Sequence, residues 1–503
     1  MLRPRVALLV APIFLAGPVQ AQLSIWNGPG ADWNNAANWS AGVPDPGETA
    51  LFNGATPKAV AVAGAGVDIA TIQFDPHAPP GYTFAINSTS FALTGAGVVN
   101  NSAQAPTFNI SAFAFLDFYG AASAGNAIIG SNSSFISFND SANAANAQIT
   151  LANSLLSFAS DGTTAGSAAI TNNSGGTTQF LGASTAGGAT IANNAGGTTS
   201  FSNSSNAGSA TINNNAASSN LRFSDTSRAG TANITNRGTV SFGALGNGDT
   251  ASADRATIIN DGLSAVTRFF GFTRGGNATI TANNGSQVLF FENSTGENAR
   301  FIVDATSRVD FSGTRGLLND GRVSAGSIEG AGTVILPDGT LTIGSNNLST
   351  DFSGTLTQCG CNPGRLEKIG IGTLTLSEIN GYSGGTTIAA GTLVMAHATA
   401  GAIDAVGTGN VTLNGGALRS TVTGTLANDV TFGSGTTSTL AAANGTTLTL
   451  IGTGTFSDSV ARFGSVSDAG TIIASFAGTG SSNTTAIEVN GGILRAGSSG
   501  FTS

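Results

Sequence analysis

The chain has 503 residues, a formal net charge of −9 and only 9% charged residues, where a typical soluble protein has about 25%. That balance excludes the basic footprint of a nucleic-acid-binding surface and is too dilute for an acidic interaction tail. Two cysteines exclude a disulfide-stapled scaffold, and a hydrophobic share of 40% with 29 Phe argues against a disordered chain despite 71 Gly.

Residues 1–21 read as a secretory signal peptide. Arg3 and Arg5 make the basic start, Val6 to Leu15 an apolar run broken only by Pro12, and Val19 and Ala21 the small residues before cleavage at Gln22. The apolar run is about 10 residues, half of what a membrane-spanning helix needs.

Residues 22–100 precede any regular beat and hold all three tryptophans, Trp26, Trp33 and Trp39. They are expected to form an N-terminal cap, because the first coil of a stacked structure would otherwise expose strand edges and core. Stacking of these rings on sugars is the competing reading.

Residues 101–318 carry a repeat of about 21 residues. Phe recurs at Phe118, Phe138, Phe158, Phe180, Phe201, Phe223 and Phe242, then at Phe272, Phe291 and Phe311. Ile keeps the same beat at Ile128, Ile149, Ile170, Ile191, Ile212, Ile234, Ile258, Ile280 and Ile302, followed by Asn pairs such as Asn172-Asn173, Asn193-Asn194 and Asn213-Asn214. Segments such as Thr198-Thr199-Ser200-Phe201 alternate with the period of a half-buried strand. The Gly- and Asn-rich joints between them suit corners that need positive φ. One such unit cannot bury its own apolar face, whereas stacked copies can. The expected fold is therefore all-β, a parallel β-helix solenoid with about 21 residues per coil, internal stacks of Phe and Ile, and a ladder of Asn amides at one corner. About 20 coils at the interstrand spacing of about 4.8 Å make a rod on the order of 100 Å long.

Residues 319–503 change to Gly-Thr-Leu-Thr-type strands. At residues 370–395 the chain reads Gly-Ile-Gly-Thr-Leu-Thr-Leu-Ser-Glu-Ile-Asn-Gly-Tyr-Ser-Gly-Gly-Thr-Thr-Ile-Ala-Ala-Gly-Thr-Leu-Val-Met. This resembles the passenger-associated β-strand repeat of bacterial autotransporters, with its GTLTL strand, N-x-Y-S-G-G-T-T turn and A-G-T-L strand. A weaker echo runs from Asn410 to Leu418, and the Trp26-Asn27-Gly28 and Asn38-Trp39-Ser40 segments resemble the start of such passengers. The resemblance implies a passenger that crosses an outer membrane unfolded and folds outside as a β-helix, with a membrane barrel as its export partner. The roughly 10-residue alternating segments and aromatic girdles of such a barrel do not occur, and repeat-like sequence such as Asn490-Gly491-Gly492-Ile493-Leu494 continues close to Ser503. Either the barrel lies beyond Ser503, or the chain is exported differently and released.

The search for chemistry assigns no catalytic, cofactor-binding or metal-binding residue. His77 lies in a proline-broken loop and His397 after a predicted strand, too few and too scattered for a zinc site. Gly381-Tyr382-Ser383-Gly384-Gly385 satisfies the G-x-S-x-G pattern but is followed by a strand, where a nucleophile elbow needs a helix. Cys359-Gly360-Cys361 in a Gly/Pro loop implies a local disulfide or two thiols. Asp225, Asp249, Asp254, Asp304, Asp310, Asp320 and Asp338 are the nearest thing to an acidic series, and acids one coil apart could become neighbours. The expected role is a secreted or surface-displayed adhesin or stalk, with surface glycans or proteins of a host or neighbouring cell as partners. An extracellular polysaccharide-active β-helix enzyme is the alternative, and it requires at least two clustered carboxylates.

Overall fold

The computed structural model describes residues 22–496, apart from residues 29, 55–58, 79–80, 361, 457–458 and 475–485. The expected signal peptide at residues 1–21, Cys361 and the last seven residues lie outside the described residues.

The fold is the expected parallel β-solenoid. The described residues hold strands and one short 3-10 turn, Ala36–Asn38. A first sheet of 16 strands runs from Leu23–Ile25 to Thr355–Gln358. A second runs the length of the rod, from Ala59–Val62 to Ala486–Val489, as an open ladder of 20 parallel strands. At the interstrand spacing that ladder is about 90 Å long. A third sheet of seven strands begins at Arg322–Ala325 and takes over as the first one ends, and a fourth of six begins at Ala398–Thr399. Named strands pair in parallel except at one small hairpin, Ala398–Thr399 with Ala402–Ile403.

One coil shows why this sequence winds this way. Thr177–Phe180 alternates outward Thr177 and Gln179 with buried Thr178 and Phe180. A corner follows, tied to the next coil by the isolated Thr185–Asn206 bridge. Thr190–Asn193 then buries Ile191 and Asn193, and a second corner leads to Thr198–Phe201, which lies on Thr177–Phe180 residue for residue. The corners force glycine where coils touch: Gly208 has φ +62°, and a Cβ there would meet Gly187 O at 2.5 Å.

Inside, Phe118, Phe138, Phe158, Phe180, Phe201, Phe223, Phe242, Phe269 and Phe290 stack face to face, with centroids 4.6–4.9 Å apart and planes within 8°. Phe311 continues the column at 4.6 Å. The backbone ladder fixes this spacing, so the rings take the interstrand distance rather than an arrangement of their own. A ladder of buried amides runs beside them. Asn172, Asn193, Asn214 and Asn236 each donate from Nδ2 to the Oδ1 of the next amide, the last of which is Asn260, at 2.7, 2.8, 3.1 and 2.7 Å.

Four assignments of the repeat need correction. The stack uses Phe269 and Phe290, not Phe272 and Phe291; Phe272 is 41% exposed, and Phe291 stacks outside on Phe270. A loop after Phe242, from which Leu245 projects, lengthens that coil and interrupts the beat, whereas Phe269, Phe290 and Phe311 keep the 21-residue step beyond it. Ile129 rather than Ile128, and Phe301 rather than Ile302, continue the Ile column, as their register with Ile149 and Ile280 requires. Within the Asn213-Asn214 pair it is the second residue, Asn214, that points inward, because Asn213 pairs with Ala192 on the outer face.

The N-terminal cap is present. Trp26, Trp33 and Trp39 are 2%, 0% and 5% exposed, packed edge to face at 4.9 and 4.8 Å over Phe52 and Phe91. The Trp39 indole N–H donates to Trp33 O at 2.8 Å. These rings close the first coil and leave no face for a sugar.

Candidate functional site

The residues singled out by sequence are scattered. His77 is exposed beside Asp75, whose carboxyl is held below its usual range by hydrogen bonds from the His77 backbone N–H and ring. Some 320 residues further on, His397 Nδ1 lies 2.6 Å from Asp404 Oδ1, with Nε2 4.0 Å from Glu378. Among the described residues no three His, Cys, Asp or Glu side chains are placed to hold a metal ion. Asp225 and Asp249 do become neighbours one coil apart, but as corner braces. Asp225 accepts from the Asn203 backbone N–H and Asp249 from that of Asp225, both at 2.7 Å. Asp304, Asp310 and Asp320 likewise accept from the backbone N–H groups of Asn284, Ser312 and Arg322. Asp254 occupies a positive-φ corner, and Asp338 Oδ1 lies 2.9 Å from Cys359 Sγ.

The G-x-S-x-G match is a corner. Tyr382 is fully buried, its hydroxyl 2.6 Å from Thr386 Oγ1, and burial raises its pKa well above the ordinary phenol value. Ser383 lies at the surface, held by Gln358, and a strand from Thr386 to Ile388 follows. Asn380 closes the turn: its Oδ1 accepts from the Leu356 N–H and its Nδ2 donates to Ala405 O, both at 2.6 Å.

Sequence reasoning missed the role of Lys368. It is 1% exposed on an inward position of the Arg365–Lys368 strand, and its Nζ donates to the carbonyls of Ile369, Gly370 and Ala390 at 2.7, 3.0 and 3.3 Å. Burial lowers its pKa to about 8. Only Lys58 and Lys368 occur in the chain, and strand parity places Lys368 inside; those two facts were the available signal.

The most structured concavity lies on the outer face of the third sheet, where Arg322, Thr340 and Arg365 form one outward column and Ser324, Thr342, Glu367, Thr387 and Thr412 the next. After Arg365 the first column meets Gly385, which has no side chain, and then Asn410. Gly385 has φ +97°, and a Cβ on it would meet Asn410 O at 2.6 Å, so the notch cannot be filled. The result is a cavity of about 310 Å³. A second hollow of about 460 Å³, walled by Leu317 and Leu318, shares Arg322 and Glu367 with it, so the two form one trough. Arg322 pairs with Glu367, which also accepts from Thr342 Oγ1 at 2.9 Å. Arg365 is exposed, its stem lies over Gly384, and its guanidinium has no hydrogen-bond or ion-pair partner among the described residues.

Comparison with known proteins finds the passenger-associated-transport-repeat family at residues 366–395. No curated protein and no solved structure matches the chain. In the fold, the matched segment is Leu366–Lys368, Thr373–Leu376, Thr386–Ile388 and Thr392–Met395, adjoining coils of the same continuous stack. The family match and the parallel solenoid together fit an autotransporter passenger domain.

Proposed function

We propose that this chain is the exported passenger of an autotransporter and works outside the cell as a stiff stalk that makes adhesive contacts. The observation that carries the reading is the passenger-associated repeat at residues 366–395, wound into a solenoid whose second sheet spans the whole rod. Folding outside the membrane suits this design, because each coil needs only the preceding one as a template. An outer-membrane barrel would carry the export, and surface glycans or proteins of a host or neighbouring cell are the expected partners. Contacts spread along a rod would be individually weak and gain strength by multivalency. On this reading the chain binds and spaces and does not catalyse.

Protease treatment of intact native cells, followed by detection with an antibody to residues 101–318, tests the proposal. Loss of the signal on shaving is expected. A protected pool in the periplasm would overturn surface display.

A further inference from the structure

We propose that the trough on the third sheet is a binding site for an acidic saccharide, whose carboxylate is taken by Arg365. The proposal names a partner for the surface-contact reading above, but it concerns the folded chain alone. Three features point to it.

The first is an unpaired cation. Arg322, Arg274, Arg300, Arg419 and Arg462 each pair with an acid, whereas Arg365, like Arg222, Arg255 and Arg268 elsewhere on the rod, has no such partner among the described residues; what sets Arg365 apart is its place in the wall of the notch. The notch between Arg365 and Asn410 is thereby lined by two guanidinium groups and one carboxylate, an excess of one positive charge. A guanidinium offers a planar fork that matches a carboxylate bidentately.

The second is shape. Arg365 and Asn410 stand two rungs apart across the Gly385 gap, about 10 Å, which leaves room for one sugar ring. The positive φ of Gly385 and its closeness to Asn410 O keep the gap open by backbone geometry rather than by a movable side chain.

The third is the wall chemistry. The hydroxyls of Thr340 and Thr387 have no hydrogen-bond partner among the described residues and face the notch with Asn410 and Glu367, a donor and acceptor set that suits sugar hydroxyls. In the adjoining hollow Leu318 is 82% exposed, an apolar surface for the carbon face of a neighbouring sugar.

The test is binding of purified, folded residues 22–503 to a galacturonic acid tetramer and to its fully methyl-esterified form, in which each carboxylate is replaced by a neutral, slightly larger ester. Weak binding of the acid form is expected, with a loss of about tenfold or more on esterification and in Arg365→Ala. Arg365→Lys should recover part of the loss, since it restores charge without the fork. Arg237→Ala removes an exposed arginine in another coil, paired with Asp261, and should leave binding unchanged. Circular dichroism establishes that each variant is folded. Equal binding of both forms, an unaffected Arg365→Ala, no saccharide binding at all, or preference for an acidic peptide of equal charge would each overturn the proposal. Because purified protein is used, any of these leaves the export reading standing, and failure of the shaving experiment leaves this one standing.

Discussion

Asn193 donates from its side-chain amide to Asn214 Oδ1 at 2.8 Å, one coil further along the rod, and both residues are buried. Asn193 Nδ2 also donates to Asn220 O at 3.1 Å, while its Oδ1 accepts from Asn172 and from the Thr199 hydroxyl. Every polar group of the side chain is thus used, which is what makes a buried amide tolerable. Asn193→Ala removes four hydrogen bonds and leaves the buried Asn214 Oδ1 without a donor, while Asn172 keeps Thr198 O and Thr199 Oγ1; it should destabilise by about 2–4 kcal/mol. Asn194→Ala, on the outer ladder to Asn173 and Asn215, should cost only about 0.5 kcal/mol because water replaces the lost bonds. Denaturant midpoints of the two variants check the difference; equal shifts would mean that the inner ladder is not buried as described.

Phe201 and Phe272 separate a ring inside the column from one outside it. Phe201→Ala opens a hole in a closed column and should cost about 3–5 kcal/mol. Phe272 lies outside the column, 41% exposed, and Phe272→Ala should stay within about 0.5 kcal/mol, whereas Phe269→Ala should behave like Phe201→Ala. The same unfolding measurement decides it.

The solenoid, the capping tryptophans and the ladders were legible because identical residues return to the same place in each coil. Legibility failed after the long coil that follows Phe242, where Phe272 and Phe291 depart from the 21-residue step that Phe269, Phe290 and Phe311 keep, and at Ile128-Ile129, where only the pairing register tells which one points inward. The trough was not legible. Arg322, Arg365, Gly385 and Asn410 meet across coils of uneven length, and the decisive residue, Gly385, contributes by having no side chain.

Lys368 makes stability depend on pH in the alkaline range. Its amine has a pKa of about 8 in the fold against roughly 10.4 in an unfolded chain. Between these values the unfolded chain binds the extra proton, so stability should rise as pH increases from about 8 towards 10 and be lowest, from this group, below 8. The full effect is at most about 3 kcal/mol. Above about pH 10 Tyr382 acts the other way, since its raised pKa keeps it protonated in the fold while the unfolded phenol ionises. Denaturation midpoints of the wild type and Lys368→Met at pH 7 and 9.5 check the sign. The wild type should gain stability relative to the variant over this interval; a constant difference would mean that Lys368 does not change protonation there.

Stacked coils also make a strong statement about length. Phe180, Phe201 and Phe223 occupy equivalent positions in three successive coils, so removing residues 180–222 joins Gln179 to Phe223 in the original register. Phe223 then stacks on Phe158, and Asn236 comes within reach of Asn172, replacing the contacts that the deleted coils made. Because each coil contacts mainly its neighbours, stability should change only by the two repeats lost. The rod should shorten by about 10 Å, two interstrand spacings, while its circular dichroism per residue stays the same and saccharide binding at Arg365 is retained. Removing residues 180–211 instead ends out of phase, placing Ile212 where Phe180 stood, and should not fold cooperatively. Small-angle scattering of the first variant and thermal melts of both test this. An in-phase variant as damaged as the out-of-phase one would show that stability depends on more than nearest-neighbour coils.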